Sequence, residues 1–479
     1  MTTLTQLTQR IAAVICACVC SCASAQSLRP VHQTVSPASN TRASALAAIE
    51  PVLYRLLPLQ TMTPVSGWHG YTFRLGDIDG DGKSDIVWNN RCQKPVGPGG
   101  CVTSANYVAS ARSLGNGTFT QTLAYDVSNG GGGWDTYKWF VGDVGGDGKA
   151  DMLWNSVQGD ATYAFVGVSN GDGTFTLGSV QALGLSGYAN RNPNVGDFNG
   201  DGRLDLYWGT VCSFANGINS CSVGDTNSAR VALATSSNTF LVQSNQAFPS
   251  SGWSDYMAYF GDVNGDGKTD VIWNSTTQGS GPYLHGNYVY VGLSNGNGTF
   301  DLKPLQVIWP SGTYDFATLL GDVNGDGKTD LIWVSNYQSG GDANLVYVGL
   351  SNGDGTFGVT QQQALGASSG WLYYQASTGD VNGDGNDDLI YNSTSQGAGE
   401  SANYVYVAVA GDNGLLTLSP QFALGSAGWN AYGSLIGDID GDGRADIVWN
   451  STYQSNVSDA NYVYVGKSLP DRIFSGVFE

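Results

Sequence analysis

Seven short acidic stretches hold the residues of this chain best suited to chemistry. They read GDIDGDGKSD at 76–85, GDVGGDGKAD at 142–151 and GDFNGDGRLD at 196–205. GDVNGDGKTD then stands twice, at 261–270 and 321–330, before GDVNGDGNDD at 379–388 and GDIDGDGRAD at 437–446. Counted from the first Asp, side-chain oxygens recur at positions 1, 3, 5 and 9. The candidate ligands are Asp77, Asp79, Asp81 and Asp85 in the first loop, and Asp143, Asp147 and Asp151 in the second. Asp197, Asn199, Asp201 and Asp205 follow in the third, and Asp262, Asn264, Asp266 and Asp270 in the fourth. The last three hold Asp322, Asn324, Asp326 and Asp330; Asp380, Asn382, Asp384 and Asp388; and Asp438, Asp440, Asp442 and Asp446.

Three or four carboxylates within nine residues repel one another unless a cation is present. A hard cation that takes six to eight oxygens fits this pattern: Ca²⁺, at up to seven sites. The start of each loop resembles an EF-hand loop, with Gly at position 6 for the bend, but Asp at position 9 replaces Glu at position 12. Mg²⁺ keeps more of its water, and Zn²⁺ or copper would want His or Cys, which the loops lack. Gly145 stands at position 3 of the second loop, so that site is expected to be weaker or to need an added water. The stretches SNGDGTF at 169–175 and 351–357 lack the closing Asp and read as turns.

The first Asp residues lie 66, 54, 65, 60, 58 and 58 residues apart along the chain. A period in that range marks an array or propeller. Each repeat reads as four short strands. In the fourth, DYMAYFGD leads into the acidic loop; DVIWN, NYVYVGLS and TFDLKPLQV follow, with NGNG as hairpin-turn chemistry. The expected fold is all-β: a seven-bladed β-propeller of four-stranded blades. Such a ring leaves edges exposed unless it closes. The segment LLPLQTM near 56–62 resembles LKPLQVI at 302–308, so an N-terminal strand is expected to complete the last blade.

Residues 1–25 read as a signal peptide: Arg10, the apolar run IAAVICACVC, and Ala23-Ser24-Ala25 before Gln26. Lipidation near Cys22 is the rival reading. Residues 26–50 read as a linker and 51–479 as the propeller. A secreted location follows, with no transmembrane segment. A formal net charge of −20 argues against a nucleic-acid partner. Cys92 and Cys101, and Cys212 and Cys221, are each nine residues apart in equivalent places, which suggests two local disulfides.

The repeats resemble the FG-GAP and VCBS repeats of integrin-α-type propellers over roughly residues 54–466. The order of motifs also resembles secreted seven-bladed integrin-like lectins of fungi. That resemblance implies sugar binding in clefts between blades, with glycans or a cell-surface protein as partners. Aromatic pairs precede most loops: Trp68 and Tyr71, Trp134 and Tyr137, Trp253 and Tyr256, Trp371 and Tyr374, Trp429 and Tyr432. Their rings could stack on a sugar, or they could be core. Trp88, Trp154, Trp208, Trp273, Trp333 and Trp449 read as packing, and Asn89, Asn155, Asn274, Asn392 and Asn450 as polar contacts for a ligand. No catalytic residue is expected: His32, His69 and His285 occupy unlike positions, and no nucleophile has partners. A calcium-dependent polysaccharide lyase is the enzymatic alternative.

Overall fold

Extended runs rich in Val, Ile, Trp and Tyr alternate along this chain with turns of Gly, Asn and Asp, a pattern that gives short antiparallel strands. The computed structural model describes residues 54–63, 68, 70–91, 106–128, 133–158, 161–184, 193–210, 227–248, 256–278, 286–309, 316–335, 344–366, 371–394, 403–425, 429, 432–451 and 461–469. The signal and linker segments, Trp253 and the four cysteines at 92, 101, 212 and 221 lie outside them.

Seven antiparallel sheets follow one another, the first six with their strands in chain order. The fold is a seven-bladed β-propeller. In the fourth blade, Met257–Gly261 pairs with Asp270–Gln278, which pairs with Gly286–Ser294. The outer edge is split: Phe300–Leu302 and Gln306–Trp309 both pair with the third strand. Six blades share this split edge, whereas in the first blade a single outer strand, Phe119–Asp126, bridges it through a register shift.

The seventh sheet is assembled from both ends of the chain. Tyr54–Leu56 pairs with the third strand as Tyr54↔Ser468, and Gln60–Met62 pairs with it as Gln60↔Val463. These two short strands occupy the place that the split edge takes in the other blades.

The core is distributed over seven seams. Each hydrophobic cluster joins two neighbouring blades; one combines Val87 and Val108 of the first blade with Trp134 and Trp154 of the second. Another joins Ile86 and Trp88 of the first blade to Val448 and Val463 of the seventh. Second-strand tryptophans fill these seams, with Trp88, Trp154, Trp208, Trp333 and Trp449 fully buried.

Candidate metal centre

Every acidic loop joins the first strand of a blade to its second, and every one uses its aspartates in the same way. The carboxylate at position 1 accepts the position-6 amide at 2.7–2.9 Å in all seven loops, as Gly82 donates to Asp77. Glycines at positions 4 and 6 take left-handed conformations, as Gly80 and Gly82 do at φ 79° and 85°. An L side chain is disfavoured there, which explains the fixed G-D-G.

The position-9 aspartate has a different task. Asp85, Asp205, Asp270, Asp330, Asp388 and Asp446 have no exposed surface, and Asp151 almost none. One oxygen accepts the position-2 amide at 2.9–3.1 Å. The other accepts an amide at the end of the third strand at 2.6–2.8 Å, such as Ser113 or Ala234. Burial pushes these carboxyls well above the ordinary range against the pull of those amides: Asp151 to about 6, Asp85 and Asp270 to about 7, and Asp205 to about 8.

Successive loops are also joined. The position-8 amide of each donates to the position-1 carbonyl of the preceding loop at 2.6 Å, as Ala150 does to Asp77 and Ser84 to Asp438. The seven loops therefore form one continuous rim.

The donor set fits a divalent cation. Carboxylate oxygens of Asp77, Asp79 and Asp85 gather within 4.8 Å of one another, as do those of Asp438, Asp440 and Asp442. Asp440 is 5% exposed, and its Oδ1 has no hydrogen-bond partner among the described residues; Asp79 Oδ1 is likewise buried and unpaired. A buried carboxylate oxygen without a donor calls for a cation. Charge counting agrees. At position 7 a base pairs with the position-5 Asp in every loop but the sixth, as Lys268 does with Asp266 at 2.7 Å. The two loops with a carboxylate at position 3 each receive a second base from the third strand: Arg112 on Asp79 at 3.3 Å, and Lys467 on Asp440. Loops without an acid at position 3 have Val168, Leu233, Leu293, Leu350 and Val409 at that strand position. Three acids against one base, or four against two, leave two negative charges in six loops. The sixth, with Asn386 at position 7 and a further aspartate, Asp387, at position 8, keeps four.

Position 3 differs in loops three to six. There the Asn amide donates to the position-5 carboxylate, as Asn199 does to Asp201 at 2.8 Å.

Among the described residues, the tryptophans of the aromatic pairs are core, and so are most of their tyrosines. Trp68, Trp134, Trp371 and Trp429 are 2–4% exposed, and Tyr137, Tyr256 and Tyr374 are buried, so these faces are not offered to a ligand. Only Tyr71 and Tyr432 are half-buried. Their fixed spacing has a local cause: the Tyr amide donates to the Trp carbonyl three residues earlier, as from Tyr432 to Trp429 at 3.0 Å, making one tight turn. The Trp ring then packs edge-on against a second-strand ring, Trp429 on Trp449 at 5.6 Å.

The second-strand asparagines are not ligand contacts either. Asn89, Asn155, Asn274, Asn392 and Asn450 are buried, and each accepts an indole N–H from a tryptophan of the following blade at 3.0–3.1 Å: Trp154, Trp208, Trp333, Trp449 and Trp88 respectively. What the sequence reading overlooked is the third strand. Its aromatics lie on the buried tryptophans and stay half-buried: Phe165, Tyr406 and Tyr464 stand 4.7–4.8 Å from Trp134, Trp371 and Trp429. The alternation in NYVYVG was the available signal.

Family models agree with the repeat pattern. The FG-GAP-like repeat matches residues 157–208 and 322–391, and the FG-GAP repeat matches 430–465. No curated protein matches the sequence significantly. Among solved structures, the chain is similar to the Photorhabdus luminescens Tc holotoxin pore (15% identity, 80% of this chain and 18% of that one, TM-score 0.37). It is similar also to the exotype rhamnogalacturonan lyase YesX (13% identity, 86% and 91%, TM-score 0.32) and to the rhamnogalacturonan lyase YesW (15% identity, 86% and 91%, TM-score 0.34). At these scores the likeness carries no weight for function.

Proposed function

We propose that this FG-GAP-repeat protein, a seven-bladed β-propeller, is an exported calcium-stabilised binding module that takes carbohydrate in the clefts between blades. Calcium would supply the charge that the loop carboxylates lack, and the protein does the rest. Position-1 aspartates fold each loop, position-9 aspartates tie it to the third strand, and the amide rim links it to its neighbour. The ion then has a structural role, with no bond making assigned to it.

The observation that supports carbohydrate is the repeated third-strand aromatic. Tyr406 and Tyr464 are partly open to solvent, and each rests on a buried indole that holds the ring in place. A fixed ring with a phenol at its edge suits the C–H face and hydroxyls of a sugar. Equivalent rings in several blades would give weak sites that add by multivalency. A glycan array probed with mature protein, with calcium and with chelator, tests this. Binding to defined sugars that weakens in Tyr464→Ala supports it. Depolymerisation of a polysaccharide would make the protein a lyase, and silence on the array would point to a protein partner; either result overturns the reading.

A further inference from the structure

Two residues break the repeat pattern, and the fold brings them face to face. Gly145 occupies position 3 of the second loop, where the other six loops have Asp or Asn. Asn238 lies in the turn TSSNTF of the third blade, between its third and outer strands. Equivalent turns have glycine there: Gly117, Gly173, Gly298, Gly355 and Gly414, at φ 72–91°. Asn238 takes φ 57° and is the sole non-glycine at positive φ among the described residues.

A side chain begun at Gly145 would meet Asn238 Oδ1 at 2.7 Å. That oxygen is buried and has no hydrogen-bond partner among the described residues. So the amide of the next blade enters the space that the missing position-3 side chain leaves. The second loop and the third blade are held together independently of it, since the Leu204 amide donates to the Asp143 carbonyl at 2.6 Å and Gly146 lies against Arg203, whose Nε donates to the Ala234 carbonyl just before that turn at 3.2 Å.

We infer that Asn238 supplies, from the neighbouring blade, the position-3 oxygen of the second calcium loop. The inference rests on the calcium reading above. With Asn238 included, the second loop has three carboxylates and one amide oxygen, the same donor set as the third, fourth, fifth and sixth loops. It also accounts for a buried carbonyl oxygen that would otherwise lack any donor.

A turn role alone makes the opposite forecast. Glycine enters the left-handed region more easily than Asn, so Asn238→Gly should then be neutral or stabilising. Native mass spectrometry of the full chain at limiting calcium counts bound ions, and thermal melts with calcium and with chelator give the stability. We expect Asn238→Gly to bind one ion fewer and to melt lower in calcium, while melting at or above wild type in chelator. The double variant Gly145→Asn/Asn238→Gly moves the amide into the loop itself and should restore the count. Should Asn238→Gly keep the wild-type count and calcium dependence, the assignment fails, whatever the double variant does. If wild type binds no calcium at all, the calcium reading itself fails, which is a distinct result.

Discussion

Two belts run around this molecule, and both cross every seam they meet. One is the acidic rim, whose loops are joined amide to carbonyl from blade to blade. The other is the indole–asparagine girdle, where a second-strand tryptophan donates to the asparagine of the preceding blade. The rim repeats in all seven blades. The girdle changes where the asparagine is replaced, by Gly209 in the third blade and Val334 in the fifth. Beside Val334 the sixth blade has Tyr391 for Trp, and its hydroxyl reaches Asn344 instead. A belt made of neutral hydrogen bonds tolerates local substitution, because each bond contributes only about 1 kcal/mol net. A belt made of gathered carboxylates does not, because losing the cation proposed for it would expose every loop to repulsion at once.

The largest expected effect follows from that difference. Chelation should lower the melting temperature of wild type sharply, since each site contributes about 2.7 kcal/mol when free ion is a hundredfold above its dissociation constant. The girdle should not respond. A chelated protein that melts where the calcium form does would reduce the rim to seven ordinary turns.

Acidity sharpens the same contrast. Without calcium, the position-9 carboxyls titrate in the folded state at about 6–8, above the ordinary carboxylate range, because they are buried. A carboxyl whose folded pKa is raised stabilises the fold below its unfolded pKa and loses that contribution as pH rises through the folded value. The chelated protein should therefore melt progressively lower from pH 5 to pH 9. Calcium binds the ionised form, so in calcium the slope should flatten or reverse. Melting curves across that range with and without chelator read both slopes, and a chelated protein that gains stability with pH would contradict the burial argument.

Within the rim, position 9 should outweigh position 5. Asp270→Ala strands the Val263 and Ser294 amides in a buried place, at about 1–3 kcal/mol each, whether or not calcium is present. Asp266→Ala removes an exposed carboxylate paired with Lys268, so its cost should show mainly in calcium. Chemical denaturation in both conditions separates the two variants. In the girdle, Asn89→Ala leaves the Trp154 indole N–H without its acceptor, and should cost about 1–3 kcal/mol equally with and without calcium. A calcium-dependent loss there would mean that the belts are coupled.

The acidic loops were legible in the sequence because, Asn238 apart, the candidate ligand positions of each fall within nine residues of one another. Spacing alone carries that information. Blade number and strand count were legible for the same reason, as each repeat but the last encodes its own sheet. The girdle was not, because Asn89 and Trp154 belong to different repeats, and only the angle between blades brings them together. The aromatic pairs misled for a related reason. Trp68 and Tyr71 have the composition of a sugar site, and nothing local shows that a neighbouring blade covers the indole. Gly145 reads as a defect in one loop until the next blade is in place and Asn238 stands against it.

The smallest expected effect is a difference near zero. Read in isolation, the second loop lacks a ligand, so Asp147→Ala should do less harm than Asp266→Ala. With Asn238 completing the donor set, the two loops become equivalent: each then has three carboxylates, one amide oxygen and a position-7 lysine on the position-5 Asp. The two variants should therefore lower the melting temperature in calcium by the same amount, and neither should change it much in chelator. Repeating the comparison in Asn238→Gly should open a gap, because Asp147→Ala then strikes a loop already short of an oxygen, whereas Asp266→Ala still strikes a full one. A gap already present in the wild-type background, with Asp147→Ala the milder, would return the second loop to the weaker site that its own ten residues suggest.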